Sequence, residues 1–155
     1  MSEPVIRSLL ARRIWDSRGR PTVEAEVALS DGAVGRGIAP AGASRGAYEA
    51  IDKRDGGTRL GGFDVQDALK GMRTEIAPAL AGLDPFDQAR VDARLIALDG
   101  APNKARLGGN ALTAVSLAVL HAAGCDPEDL EIGRADLEDV FIEIMRGETP
   151  PRVAA

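Results

Sequence analysis

One cysteine, one histidine, one tryptophan and one tyrosine stand among 155 residues, and each scarcity excludes a class of function. Cys125 alone can form neither an internal disulfide nor a four-cysteine metal site, and it reads as an unpaired thiol near a helix end. His121 lies in an apolar run with no Ser or Cys partner motif, so it reads as structural rather than as a catalytic base. The lysines stop at Lys104, no Lys/Arg cluster occurs and the net charge is −5. Nucleic-acid backbones and anionic membrane surfaces therefore find no basic footprint. The longest largely apolar stretch, Ala111 to Ala123, is too short to span a bilayer, and no basic region followed by an apolar run opens the sequence. These absences predict a cytoplasmic protein with no nucleic-acid or membrane partner. With three Phe as the remaining aromatics, the core has to be built from Ala, Leu, Val and Ile.

What is present fits one domain, which at this length buries roughly 70% of its unfolded surface. The charge is uneven: residues after Gly124 sum to −6 and those before to +1. Val5 to Ile14 is rich in long and β-branched apolar residues. Pro21 to Leu29 alternates with the period of a half-buried strand, and Ala33 to Ala39 follows the hairpin signal Ser30-Asp31-Gly32. With a turn at Asp16 to Arg20, these predict a three-stranded antiparallel meander. Helical signals follow: a short segment around Glu49 to Lys53, closed by Arg54-Asp55-Gly56-Gly57, and then a helix N-capped by Asp64 with Val65, Ala68, Leu69 and Met72 on one side. Pro78 breaks or kinks that helix. Another opens at Asp84-Pro85 and closes at Asp99-Gly100, and Asn110 to Ala123 reads as a buried helix. The fold class is thus α+β, a meander followed by about four helices.

Several stretches together resemble one family. Ala11-Arg12-Arg13-Ile14-Trp15-Asp16-Ser17-Arg18-Gly19-Arg20-Pro21-Thr22-Val23-Glu24 is similar to the opening strand-turn-strand of enolases, with Arg20 where the family usually has Asn. Pro40-Ala41-Gly42-Ala43-Ser44-Arg45-Gly46 resembles the family's mobile active-site loop, with Ala41 for the usual serine and Arg45 for the usual threonine. Arg54-Asp55-Gly56, Glu75 to Leu80, Leu98-Asp99-Gly100 through Asn103-Lys104, and Leu107-Gly108-Gly109-Asn110-Ala111 into Val115 to Ala118 match in order. The likeness covers about 124 residues.

This resemblance implies a capping domain, residues 1–124, that sits against a (β/α)8-like barrel. The family, phosphopyruvate hydratase, is a glycolytic lyase that converts 2-phosphoglycerate to phosphoenolpyruvate and water. A Lys base and Mg²⁺ ions held by the barrel do the chemistry. From this chain the family pattern takes the substrate loop Ala41, Gly42, Ala43 and Ser44, with Ser44 completing the second Mg²⁺. Arg45 beside it places like charge near the cation. No catalytic residue is expected within this chain, because no lysine follows Lys104 and no barrel carboxylates are present. Its expected partners are a second copy in a homodimer or an enolase-type barrel in trans. A non-catalytic interaction module and a truncated or chimeric remnant are the alternatives.

Residues 125–155 read as an acidic tail unlike an enolase, with one amphipathic helix at 136–146. Asp136 is its N-cap, and Leu137, Val140, Phe141, Ile144 and Met145 share one face before Gly147 and Pro150-Pro151 end it.

Overall fold

The computed structural model describes residues 3–40, 46 and 49–125. Strands β1 (Ile6–Trp15), β2 (Pro21–Leu29) and β3 (Val34–Ile38) form one antiparallel sheet in the order β1-β2-β3, within a residue of each expected boundary. Both turns are built by aspartates that accept backbone N–H groups locally. The Asp16 carboxylate takes the amides of Arg18 and Arg20 at 2.9 and 2.8 Å, with Gly19 at φ +69°, and Asp31 takes that of Ala33 at 3.0 Å. Alternation along β2 sends Val23, Ala25, Val27 and Leu29 into the core, each at most 1% exposed.

Helix α4 (Gly109–Ala122) lies across β2 and β3. Its residues Ala114, Ala118 and Ala122 recur every four positions, and β3 meets them with glycine. A Cβ on Gly37 would stand 2.1 Å from the Ala114 carbonyl oxygen, and one on Gly35 2.1 Å from the Ala122 nitrogen. Helix and strand thus touch backbone to backbone.

The expected helix after Asp64 appears as α1 (Gln66–Gly71), a π-helical turn (Met72–Ile76) and α2 (Ala77–Leu80). Val65, Ala68, Leu69 and Met72 are buried as expected. Pro78 has no N–H for the carbonyl four residues back, and the π turn sits where that bond is missing. Helix α3 (Gln88–Asp99) ends at Gly100 in the left-handed conformation, again as expected.

Three local expectations are corrected. Glu49–Lys53 is not helical: its backbone is held by the 101–110 loop, Ile51 N–H to Asn103 O and Gly109 N–H to Ile51 O, both at 2.8 Å. Those long-range bonds replace the ones a short helix would make. Asp64 does not cap α1. The Asp55 carboxylate does, taking the amides of Gln66 and Asp67 at 2.9 Å each, while Asp64 is buried against arginines. Finally, α3 begins after Asp87, which accepts from the Arg90 amide. Asp84 instead closes a local turn onto Phe86 N–H. The loop residues Ala41, Gly42, Ala43, Ser44 and Arg45, and the helix expected at 136–146, lie outside the described residues.

Candidate functional site

The described residues on either side of positions 41–45 are both anchored. On one side β3 ends at Ile38, and the hydroxyl of Thr22, itself 1% exposed, donates to the Ala39 carbonyl at 2.6 Å. On the other side the 49–53 segment is gripped by Asn110, which is 2% exposed. Its side-chain oxygen accepts from Lys53 N–H at 2.9 Å and its amide donates to Lys53 O at 3.3 Å. Gly108, at φ +104°, makes this possible, since a Cβ there would stand 2.4 Å from the Asn110 side chain. Between these ends lies an open cavity of about 380 Å³ lined by Ile38, Pro40, Glu49, Asp52, Asn110 and Thr113 among others. The described residues before and after positions 41–45 thus line one cavity.

Sequence reasoning missed the cavity's polar wall of Glu49, Asp52, Asn110 and Thr113. An amide at the first turn of an otherwise apolar helix was the available signal for Asn110, because a buried amide demands partners.

The other motifs that carried the resemblance turn out to be joinery. Arg54 donates to the carbonyls of Pro21 and Phe63 and pairs with Asp52 at 3.2 Å, tying the β1–β2 turn to the loop before α1. Asp99, 3% exposed, accepts from Leu107 N–H at 2.7 Å and from Ala101 N–H at 3.0 Å. His121 donates from Nδ1 to the Arg36 carbonyl, which agrees with its structural reading.

Three carboxylates are held below their ordinary range. Asp16 is lowered first by the Arg20 amide, and Glu26 by the guanidiniums of Arg12 and then Arg36. Burial alone would raise Asp64, but hydrogen bonds from Arg13, Val65 N–H and Gln66 reverse it, leaving it lowered. Arg12 is raised correspondingly by Glu26 and Glu24. A lowered folded-state pKa contributes stability above the unfolded value, and that contribution is lost as pH falls through the folded value. The unfolded references are 3.8 for Asp and 4.5 for Glu. The melting temperature should therefore hold from neutrality to about pH 5 and fall progressively below about pH 4. Thermal melts between pH 2.5 and 7 check this, and Glu26→Gln should make the acid limb shallower.

Among the described residues, no group of three or more His, Cys, Asp or Glu side chains is placed to hold a metal ion, and no helix is long and apolar enough to cross a membrane. A three-stranded antiparallel meander backed by helices is the class of fold that the described residues define.

The enolase N-terminal domain family matches residues 6–128. "Enolase 3" of Lactobacillus johnsonii is 52% identical over 152 residues, covering 95% of this chain and 36% of that protein. "Enolase" of Acidothermus cellulolyticus is 54% identical over 130 residues, 84% of this chain and 30% of that protein. "Enolase 2" of Lactiplantibacillus plantarum is 51% identical over 152 residues. The chain belongs to the enolase family, through its N-terminal domain. It spans about a third of the length of the curated relatives it matches, and its 155 residues do not include the catalytic barrel. The family match ends at residue 128, close to the boundary expected at Gly124.

Proposed function

We propose that this domain, residues 1–124, is the cap of an enolase-type active site. In this reading it supplies a lid and the lid's anchorage, while an enolase-type barrel supplies the base and the metal carboxylates for 2-phosphoglycerate dehydration. The observation that supports it is the anchoring of the two ends of the 41–45 loop, at Ala39 by Thr22 and at Lys53 by Asn110, across one cavity. Small residues at Gly42 and Ala43 suit a segment that changes backbone angles and approaches a ligand closely.

Mg²⁺ requires close to six oxygen ligands in octahedral array. The described residues do not fit a resident Mg²⁺, since they bring no three ligating side chains together. Ser44 would add one hydroxyl to an ion held elsewhere. A homodimer, the other partner the resemblance implies, would use the open sheet face. There Leu10, Val34 and Ile38, between 42% and 54% exposed, flank a charge ladder of Arg12, Glu24, Glu26 and Arg36.

The test is 2-phosphoglycerate dehydration with Mg²⁺, followed at the enolpyruvate absorbance band. The chain alone should give a flat trace, and adding an enolase barrel stripped of its own N-terminal domain should restore turnover. Ser44→Ala should then reduce the restored rate by about a hundredfold, the cost of a misplaced lid contact. Turnover by the chain alone, or a barrel indifferent to the chain, would overturn the reading.

A further inference from the structure

A second cavity, of about 300 Å³, lies between α3 and α4 and adjoins the first, sharing Ala50, Gly109, Thr113 and Leu117 with it. Its floor is apolar: Leu95 and Leu112 are buried, Leu117 is half-buried, and Ile96 remains 51% exposed. Lys104 stands on its rim, and so does Asp92, which is held by the Gln88 amide at 3.0 Å. A half-open apolar groove suits an apolar helical face, and Lys104, one of its two charged rim residues beside Asp92, suits an acid flanking that face.

Such a segment exists in this chain. Leu137, Val140, Phe141, Ile144 and Met145 recur at the spacing of one helical face, and Glu138, Asp139 and Glu143 are interleaved with them. Residues after Gly124 carry −6 against +1 for the rest, so the electrostatic sign favours contact between the two parts.

The end of α4 also directs the chain suitably. Gly124, at φ +78°, donates its N–H to His121 O, and Cys125 donates to Leu120 O. This pair of bonds is the Schellman arrangement, which turns the chain out of the helix axis. From Cys125 back along α4 to the groove floor at Leu117 and Leu112 is about 12 to 20 Å at 1.5 Å per residue. The dozen residues between Cys125 and Leu137 reach about 40 Å when extended, so they span that distance with slack.

We propose that residues 137–145 fold back onto their own domain and seat their apolar face, Phe141 foremost, in the α3–α4 groove against Ile96. The segment's acids lie toward Lys104. This contact goes beyond the cap reading and is tested without a barrel, although its groove adjoins the cavity beside Pro40 through Thr113 and Leu117.

Amide hydrogen exchange on the full chain tests it. Amides of 137–145 should exchange at least about tenfold more slowly than in an unstructured peptide. Ile96→Asp on the groove, and separately Phe141→Asp on the segment, should each return them to the unstructured rate. Because Ile96 is half exposed, Ile96→Asp should leave β2 amides fully protected, which keeps loss of docking separate from loss of folding. Unprotected 137–145 amides in the parent chain, or protection indifferent to Ile96→Asp, would overturn the proposal. Protection that rises with protein concentration together with a doubled mass would overturn it too, by assigning the groove to a second copy.

Discussion

Replacing Gly37 with alanine should lower the domain's stability by about 3 kcal/mol, at the upper end of overpacking costs. In a domain of this size that is a fall of about 10 °C in melting temperature. The first methyl group does the damage, since it would stand 2.1 Å from the Ala114 carbonyl oxygen and 2.6 Å from the Ala118 nitrogen. A clashing side chain can rotate away, but here both obstacles are helix backbone. Relief requires lifting α4 off β3, which loosens the sheet-to-helix contact that buries Val115, Ala118 and Val119. Gly35→Ala should behave alike, with Ala122 N and Ala118 O at 2.1 and 2.2 Å. Gly32→Ala is the control: its added carbon meets nothing within 4 Å, so only the strain of a positive φ remains, about 1 kcal/mol. Melting curves for the three variants check the ranking. A Gly37→Ala protein melting within about 2 °C of the parent would mean that α4 does not lie on β3 as described.

The glycines of β3 also show where sequence reading stopped. The strand expected at Ala33 to Ala39 rests on its position after a hairpin signal, and the buried helix expected at Asn110 to Ala123 rests on its near-uniform apolarity. Neither pattern says that the two touch through backbone, because that depends on which face of each is presented. The helix side of the contact, alanines at 114, 118 and 122, is equally silent until its partner is known.

Local aspartate chemistry was read correctly where the partner was near and wrongly where it was far. Asp16 and Asp31 satisfy amides two to four residues away, and both turns were legible. Asp55 caps α1 from eleven and twelve residues upstream, a pairing no short-range motif encodes. That freed Asp64, which sequence logic had placed as the cap, to be buried with Arg13 at 3.0 Å and Arg59 at 3.0 Å. The same distinction governs Glu49–Lys53, whose non-helical course is held by bonds to residues 103, 109 and 110. At the candidate site the order of motifs points to the family, yet motif residues such as Arg54 and Asp99 tie backbone segments together. Resemblance alone does not assign that role; the backbone groups they bind do.

Asn110 joins the scaffold to the site, and Asn110→Ala should cost about 2 to 3 kcal/mol, the range for leaving buried polar groups unpaired. Both the N–H and the carbonyl of Lys53 lose their partner, and Gly108 loses the side chain it was shaped around. The damage should be local before it is global. Lys53 N–H exchange should quicken by more than the global destabilisation accounts for, while amides paired across β1 and β2 change only with global stability. Asn110→Asp separates the two bonds: it keeps an acceptor for Lys53 N–H but sets a carboxylate oxygen against the Lys53 carbonyl, so it should recover less than half of the loss. If the cap reading holds, both variants should also depress barrel-restored turnover, since one end of the 41–45 loop has lost its anchor. Denaturant titration paired with exchange at Lys53 decides the matter. Asn110→Ala with parental stability and an unchanged Lys53 rate would show that the 49–53 segment is held by its bonds to Asn103 and Gly109 alone.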